Sequence, residues 1–461
     1  MKRTVISILL AAICIASYAQ KAEIVKTGIN LGPLPAVAFD ADKGFQYGAL
    51  LNIYDYGDGS NYPNYDSKWY LEASFFTKGS QLYTVSYDNK ELIPGVRWSS
   101  TVTASIDKAF DFYGFNGYVS YYDYDRIAVG KENKTVQDPS KYLYSPFYKV
   151  ARVSVLGKTD FVGNITPSFK WEAGYHISYF REGGIDRDNI NKGKEDYNKF
   201  PATTHTLYEI YRMLGLISDE EAGGGLTSSV RLGLTYDTRD KEGAPSRGVW
   251  AEGHVTAAPK WLGTSNPHYR YSLTFRHYLP IVKNDVLTLA YRLNYEGTIG
   301  DNAPYYVLPY LTVMGDYFDR EGMGGYRTVR GLMRSRVVGL DMATYNAELR
   351  WRFTHFQMFN QNIALGLSAF SDGTMVTRGR DMTQTNAAPF GFISPSQIFS
   401  SELKKDKPHI TVGAGFRFIM NENFIVAVEY GTPVSRFVDK SNPIYGQDGT
   451  GALYINTGYL F

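Results

Sequence analysis

The sequence predicts an all-β protein, a 16-stranded antiparallel transmembrane β-barrel with one long loop folded into its lumen. Three observations indicate this fold class. Apolar and polar residues alternate along many short segments, which is the periodicity of strands whose two faces meet different surroundings. The 461 residues include 38 Tyr, 26 Phe and 45 Gly, an unusually aromatic and glycine-rich composition. Beyond the N-terminus, no apolar run reaches the roughly 20 residues that a transmembrane helix needs.

The N-terminus has the pattern of a secretory signal peptide. Met1-Lys2-Arg3 is basic, residues 5–15 are apolar, and Ser17-Tyr18-Ala19 ends on a small residue suited to cleavage. The apolar run is too short to span a bilayer, which argues against a membrane anchor. We therefore predict a signal peptide, a short N-terminal segment and an outer-membrane β-barrel, over residues 1–19, 20–33 and 34–461.

Charge and side-chain chemistry exclude several classes of protein. Lys and Arg number 48 and Asp and Glu number 46, and removal of Lys2 and Arg3 with the signal would leave 46 of each. This balance gives no indication of a nucleic-acid partner. Cys14 is the only cysteine, and the seven histidines lack the spacing of metal ligands. Since no G-x-S-x-G elbow is present either, we predict no enzyme, no cofactor and no metal.

Residues 285–297 show the alternation clearly. Leu289 and Leu293 share one face of the predicted strand, whereas Arg292 lies on the other, and residues 344–353 repeat the pattern. In a soluble sandwich the charged face would contact bulk water. Here Tyr, Trp and Phe border the apolar faces, as in the interface girdles of outer-membrane barrels. The charged faces are therefore predicted to line a lumen.

Sixteen strands are predicted, an even number that places both chain ends on the periplasmic side. The connections predicted to face outward are long and most of the inward turns are short, which is the asymmetry of such barrels. The aromatic segment 110–124 is assigned to an outward loop, because one additional strand would break the parity. The predicted strands cover residues 34–41, 44–55, 67–77, 81–88, 95–106, 147–158, 164–181, 226–237, 248–259, 268–280, 285–297, 341–354, 361–372, 408–419, 423–431 and 451–461.

The last strand is predicted to run to the final residue of the sequence. Leu453, Ile455, Tyr459 and Phe461 alternate with smaller or polar residues. A last strand that ends on an aromatic residue is similar to the targeting and assembly signal of outer-membrane barrels. We therefore predict that Tyr459 and Phe461 form a C-terminal barrel signal.

Two motifs stand on connections between the predicted strands. Tyr236-Asp237-Thr238-Arg239-Asp240, followed by Pro245-Ser246-Arg247-Gly248, occupies an inward turn. Gly324-Gly325, followed by Val329-Arg330-Gly331, lies in the long connection after the eleventh strand. The first motif is similar to a periplasmic turn with the pattern YDTRD…PTRG, and the second to a loop-six signature with the pattern GG…VRG and a final aromatic residue.

With two strand segments, Ala347-Glu348-Leu349 and Phe370-Ser371-Asp372-Gly373, these motifs resemble the bacterial surface-antigen superfamily of outer-membrane assembly barrels, which includes BamA and TamA. The resemblance implies insertion, assembly or translocation of proteins at the outer membrane. A passive or accessory channel without insertase activity stays open, as does a barrel that binds ligands through tyrosine-rich outer loops such as residues 142–148. Leu332 departs from the family pattern, since an aromatic residue is expected there.

About fourteen residues lie between Gln20 and the first predicted strand, whereas a small domain needs roughly 50. We therefore expect a member that lacks the family's periplasmic POTRA domains. Its expected partners are outer-membrane lipid and periplasmic or outer-membrane proteins that replace those domains.

The loop-six residues predict a charged contact inside the barrel. Gly324, Gly325 and Gly331 permit positive φ and a close approach to the wall. Arg330 would need acceptors, because a charge held away from water is costly unless it is paired. Strand alternation turns Glu348 and Asp372 inward, and the planar guanidinium group can bridge two carboxylates. We hypothesise that Arg330 binds both, either as a releasable latch or as a permanent structural tie. Other inward charges are predicted to form a solvated lumen network: Arg231, Arg270, Arg276, Arg292, Glu296, Arg350, Arg352 and Glu429.

Overall fold

A computed structural model of the chain describes most of the predicted barrel. The described residues are 24–40, 44–77, 79–127, 143–196, 199–282, 285–315, 320–386, 398–422 and 424–461. The predicted signal peptide over residues 1–19 lies outside these ranges, as does the start of the predicted N-terminal segment. Within the described residues, no helix is long and apolar enough to cross a membrane.

Sixteen strands of the described chain form one antiparallel sheet in sequence order, which confirms the predicted fold class. Two further strands, in the connection after the eleventh, make a small separate hairpin: β12 (Tyr310–Leu311) and β13 (Arg320–Glu321). The strands of the large sheet are β1 (Ile29–Asp40), β2 (Gly44–Asp55), β3 (Ser67–Phe76), β4 (Gln81–Ile93), β5 (Val96–Asp111), β6 (Lys149–Asn164), β7 (Phe169–Gly183), β8 (Gly224–Asp237), β9 (Gly248–Ala258), β10 (His268–Val282), β11 (Leu287–Ile299), β14 (Asp341–Met358), β15 (Gln361–Arg378), β16 (His409–Met420), β17 (Phe424–Pro433) and β18 (Ala452–Thr457).

The sheet curls into a barrel that is nearly closed. β1 lies beside β18, but within the described residues no hydrogen-bonded ladder joins the two strands. β18 has six residues and β1 has twelve, so β18 is too short to lie beside the whole of β1. The barrel therefore has a seam between its first and last strands.

The two faces of the wall differ as the alternation predicts. On β11, Leu293 is 51% exposed whereas the adjacent Arg292 is 3% exposed. Apolar side chains point outward along the other strands too, where they can contact the hydrocarbon of a bilayer. Polar and charged side chains point inward, and many of them are buried. The long connection between β11 and β14 packs against part of this inner face.

The long connections lie at one end of the barrel and pack around a common apolar core. Within it, the ring of Phe112 meets Tyr208, Tyr211 and Tyr305 edge-on, with centroids 5.3–6.3 Å apart. Tyr144 is buried as well, together with its neighbour Tyr148. These two tyrosines therefore do not form the exposed binding surface that a tyrosine-rich outer loop suggested. Short helices lie in these connections at Gly117–Val119, Ser145–Tyr148, Arg187–Asn191, Leu207–Met213, Asp219–Ala222, Lys260–Leu262 and Val434–Phe437.

Both ends of the predicted barrel need correction. β1 begins at Ile29 rather than at residue 34, and Pro33 and Pro35 lie within it. Proline is tolerated there because β1 borders the seam and has an unpaired side. β18 ends at Thr457 rather than at Phe461. The strand stops because Gly458 adopts a φ of +83°, which turns the last residues out of the wall.

The predicted outward segment 110–124 also needs a small correction. β5 continues to Asp111, so the first two residues of the segment are strand. The described remainder belongs to the loop layer, as expected. Phe112 and Phe115 are buried there, which accounts for the aromatic character of a segment that does not cross the membrane.

Candidate functional site

The connection between β11 and β14, residues 300–340, brings the loop-six motif onto the inner wall. Gly324, Gly325 and Gly331 have φ values of +129°, +83° and +90°, a region that side-chain-bearing residues rarely adopt. At Gly331 a Cβ atom would lie 2.5 Å from the carbonyl carbon of Gly431 on β17. Gly331 and Gly431 are therefore both needed for this backbone-to-backbone contact.

Arg330 is fully buried and is surrounded by three carboxylates. Its Nε and Nη2 donate to the two oxygens of Asp372 at 2.9 and 3.1 Å. Nη1 donates to Glu348 at 3.1 Å and to Glu429 at 2.6 Å. The guanidinium carbon also lies 3.6 Å from the ring centroid of Phe370, a cation–π contact. The structure therefore brings Arg330 onto both acids named from the sequence and adds Glu429.

Two arginines of the wall complete this cluster. Arg417 on β16 lies 2.7 Å from Glu348 and 2.6 Å from Glu429. Arg350 on β14 approaches Glu348 at 3.5 Å. Three arginines thus face three carboxylates, so the buried charges balance, as a site away from water requires. Sequence reasoning missed Arg417, although its inward position on β16 follows from alternation.

The cluster extends to the seam strand β18. Glu429 accepts a hydrogen bond from Asn456 Nδ2 at 2.9 Å, and Asn456 lies on β18. The backbone N–H of Gly331 donates to the hydroxyl of Tyr454, also on β18, at 2.9 Å. The loop motif is therefore bonded to β15, β14, β17 and the last strand of the barrel together.

The same loop also reaches other parts of the barrel. Arg334 donates to Asp107 and Asp111 of β5 at 2.9 and 2.7 Å. Arg336 donates to backbone carbonyls, including that of Gln447 at 2.8 Å. These contacts hold the loop between the strands of the N-terminal and C-terminal halves.

Leu332, which replaces the expected aromatic residue, is buried in an apolar cluster behind the motif. An aliphatic side chain fills this space without an aromatic ring. The cluster consists of Leu311, Met323, Val329, Leu332, Val337, Met342 and Val376.

The periplasmic turn motif forms a compact structure between β8 and β9. Asp237 and Arg239 make a two-pronged ion pair, with both hydrogen bonds at 2.9 Å. The Asp240 carboxylate accepts from the backbone N–H of Ser246 at 3.0 Å and from its hydroxyl at 2.6 Å. Gly248 has a φ of +103°. The charges of the motif thus shape the turn, which encloses the buried Pro245.

The predicted C-terminal signal lies inside the barrel. Phe461 is buried and its ring faces Tyr278 of β10, with centroids 6.4 Å apart. Arg350 donates to the Phe461 carbonyl oxygen at 2.9 Å and lies 4.0 Å from the ring centroid of Tyr459. The expectation that these two aromatic residues continue the last strand is therefore wrong. Their role as a targeting signal remains a prediction.

The predicted lumen network is packed rather than solvated. Arg270 donates to loop carbonyls at Val307 and Tyr310, at 3.2 and 2.9 Å. Arg352 pairs with Glu422 at 3.0 Å. No group of three His, Cys, Asp or Glu in the described ranges is placed to hold a metal ion. The buried members of the network are Arg231, Arg270, Arg276, Arg292, Glu296, Arg350, Arg352 and Glu429.

The fold and its inward loop define a class of protein, the 16-stranded barrels of the bacterial outer membrane. The chain belongs to the Omp85 superfamily, whose domain matches residues 78–443 and confirms the resemblance found in the sequence. CdiB from Escherichia coli has the same fold, with a TM-score of 0.50 and 9% identity over 95% of this chain and 63% of that chain. This chain therefore spans less than two thirds of that protein. 

BamA from Haemophilus ducreyi lacking POTRA domains 1-3 is also similar. Its TM-score is 0.48 and its identity 13%, over 93% of this chain and 70% of that chain. No curated protein matches the chain at a significant level.

Proposed function

We propose that this protein inserts, assembles or translocates other proteins at the outer membrane. The observation that carries the proposal is the bonding of the loop motif to the seam. Arg330 is joined to β18 through Glu429 and Asn456, and Gly331 is joined to it through Tyr454. β18 forms no described ladder with β1, so the loop contacts stabilise a strand that lacks a partner on one side.

This arrangement couples loop position to the seam. Withdrawal of the loop would remove Arg330 from Glu429, which would keep only Arg417 as an arginine partner. It would also break the hydrogen bond from Gly331 to Tyr454, which holds β18 directly. Breaking a buried ion pair costs about 3–5 kcal/mol. A protein client that binds with micromolar affinity supplies about 8 kcal/mol, which exceeds the cost of breaking one such pair. Arg330 would then act as a latch that couples the position of the loop in the lumen to opening of the seam between β1 and β18.

The barrel wall contacts outer-membrane lipid, and a client leaving through the seam would enter that lipid directly. Delivery of the client would fall to periplasmic or outer-membrane partner proteins. Purification of the protein from its native membrane without detergent exchange, followed by mass spectrometry, would identify such partners.

Liposomes that contain the purified protein provide the test of insertion. A urea-unfolded small outer-membrane barrel is added, and its folding is followed by its mobility in cold SDS gels. Wild-type protein should accelerate folding relative to liposomes that contain an unrelated porin at equal density, and Arg330→Ala should change that rate. If folding is no faster than with the porin, the chain is a passive or accessory barrel and insertion is refuted.

A further inference from the structure

The turn between β8 and β9, residues 238–247, crosses the end of the barrel opposite the long loops. We call this segment the inner turn. Both of its ends are fixed to adjacent strands, yet its side chains contact the wall in two other places. The sequence motif that contains the inner turn has no part in the loop-six cluster, so its contacts need a separate explanation.

The first contact is with β4 and β5. Glu242 lies 3.0 Å from Lys90 Nζ on β4 and 3.3 Å from Arg97 Nη1 on β5. Arg97 is held in place by two hydrogen bonds of 2.7 Å to Asp88. The receiving side of the wall is therefore a fixed basic site, and Glu242 supplies the matching charge.

The second contact is with the strands on the other side of the mouth. Lys241 Nζ lies 2.8 Å from Asp285, in the turn between β10 and β11, and 3.5 Å from Glu422, in the turn between β16 and β17. Ala244 at the tip is buried in an apolar cluster with Ala364, Ile419 and Ile425 on the inward faces of β15, β16 and β17. The inner turn thus bridges opposite walls of the barrel.

The inner turn is rigid in itself but is held by contacts that can be broken. Asp240 accepts the backbone N–H groups of Ser246 and Arg247 at 3.0 and 3.1 Å, which closes the turn on itself. By contrast, the side chains of Glu242 and Lys241 are 31% and 23% exposed, so water screens their ion pairs. Two neutral acceptor or donor groups of the turn also contact the wall: the Ser246 hydroxyl donates to Asp285 at 2.5 Å, and the Ala244 carbonyl accepts from Arg352 at 3.5 Å. Because the turn is compact and its charged attachments are screened, it can move as a unit when these few contacts break.

We propose that the inner turn is a gate that closes the lumen at the periplasmic end. The loop that Arg330 holds against β14, β15 and β17 is a second closure in series with it. Glu242 and Lys241 are the charged latches of the gate, and Ala244 is the tip that packs against the wall. The gate does not depend on protein insertion, because it would control any ion or solute that crosses the lumen. A failed insertion assay would therefore leave this proposal intact.

Planar-bilayer conductance of the purified full chain tests the gate. Four proteins are compared: wild type, a deletion of residues 324–334, the double variant K241Q/E242Q, and the combination of the two changes. Two closures in series predict that each single change leaves the barrel nearly closed. The combination should raise conductance about tenfold or more, towards that of an open 16-stranded channel. The matched control K404Q/E402Q, at two exposed positions in an outer loop, should add nothing to the deletion.

A second measurement guards against misfolding of the combined variant. Ala244→Cys and Ala364→Cys are introduced into the loop deletion together with K241Q/E242Q, and a short bifunctional thiol reagent joins the two cysteines. Joining them should return conductance to the closed level, and a reducible reagent should allow reopening. Equal conductance of the loop deletion with and without K241Q/E242Q would overturn the proposal. So would a cross-link that forms but leaves conductance unchanged.

Discussion

Arg330 and Asp372 form a two-pronged ion pair inside the barrel, and the backbone N–H of Arg330 adds a third hydrogen bond to the same carboxylate at 3.0 Å. One aspartate therefore fixes both the side chain and the main chain of the loop. Lysine could not replace the arginine, because a single ammonium group cannot match both carboxylate oxygens and also reach Glu348.

Loss of the Arg330 side chain should destabilise the folded barrel. Arg330→Ala leaves Glu348, Asp372 and Glu429 buried with one positive charge fewer, and we expect a loss of about 3–5 kcal/mol in unfolding free energy. Denaturant unfolding in detergent micelles measures this change. Arg330→Lys should recover only part of it. The exposed Arg181→Ala is the control. Equal stability of Arg330→Ala and the control would contradict the role of the cluster.

Gly331→Ala should displace the loop through a backbone clash. The new Cβ would lie 2.5 Å from Gly431 and 2.6 Å from the nitrogen of Thr432, and neither backbone can move without disturbing β17. Gly300→Ala is a matched control, since Gly300 also has a positive φ but has no atom within 4 Å of the Cβ position. Backbone strain alone should cost about 1–2 kcal/mol in the control. Protease sensitivity of residues 320–340 should rise in Gly331→Ala beyond the control, and equal sensitivity would refute the close contact.

Phe461 should contribute to stability from within the lumen. Phe461→Ala removes a buried ring that faces Tyr278, and such truncations cost about 3–5 kcal/mol. Phe437, which is 72% exposed, provides the matched control Phe437→Ala. Refolded proteins are compared by denaturant unfolding, which separates this effect from any targeting defect in cells. A Phe461→Ala protein as stable as the control would show that the ring is not anchored there.

The inner turn should be insensitive to pH near neutrality and weaken in acid. Burial acts to raise the pKa of Asp285, but hydrogen bonds from Lys241 and Ser246 and the charge of Lys241 outweigh it and hold the pKa below its usual value. The attraction is therefore complete above the ordinary Asp pKa of about 3.9 and is lost as pH falls through the lowered value. Charged or titratable groups near Asp285 are Lys241, Arg352, His355 and Glu422.

Lys241, the partner of Asp285, should set the upper pH limit of this ion pair. Burial acts to lower the pKa of Lys241, but Glu422 and Asp285 outweigh it and raise the pKa above its usual value. The pairing is lost only as pH rises through that raised value, beyond about 10.4. Conductance of the loop-deleted barrel should thus be flat from about pH 5 to 9 and rise in acid. When K241Q is introduced into the loop-deleted barrel, the rise of conductance in acid should become smaller. An unchanged rise would show that the Lys241–Asp285 pair does not hold the inner turn.

Alternation made the wall of this barrel predictable. Period two places Glu348 and Asp372 on the inward face and Leu293 on the outward face, whatever the curvature of the sheet, since a strand has only two faces. The motif residues of loop six follow from the resemblance to the family signature, and the need of a buried Arg330 for acceptors predicts its contact with inward carboxylates. Strand ends were less certain, since Gly458 can either continue a strand or turn it.

Only the tertiary structure decided which inward residues meet. Glu429 follows Arg330 by 99 positions and Glu242 follows Arg97 by 145, and these pairs form because closure of the sheet brings distant strands to one lumen. Alternation fixes the face of a residue but not its height or the position of its strand around the barrel. For the same reason, the sequence could not show that the inner turn reaches across the mouth, or that Phe461 returns to the inside. The sequence thus determined the barrel, its family and its inward charges, while barrel closure determined their partners.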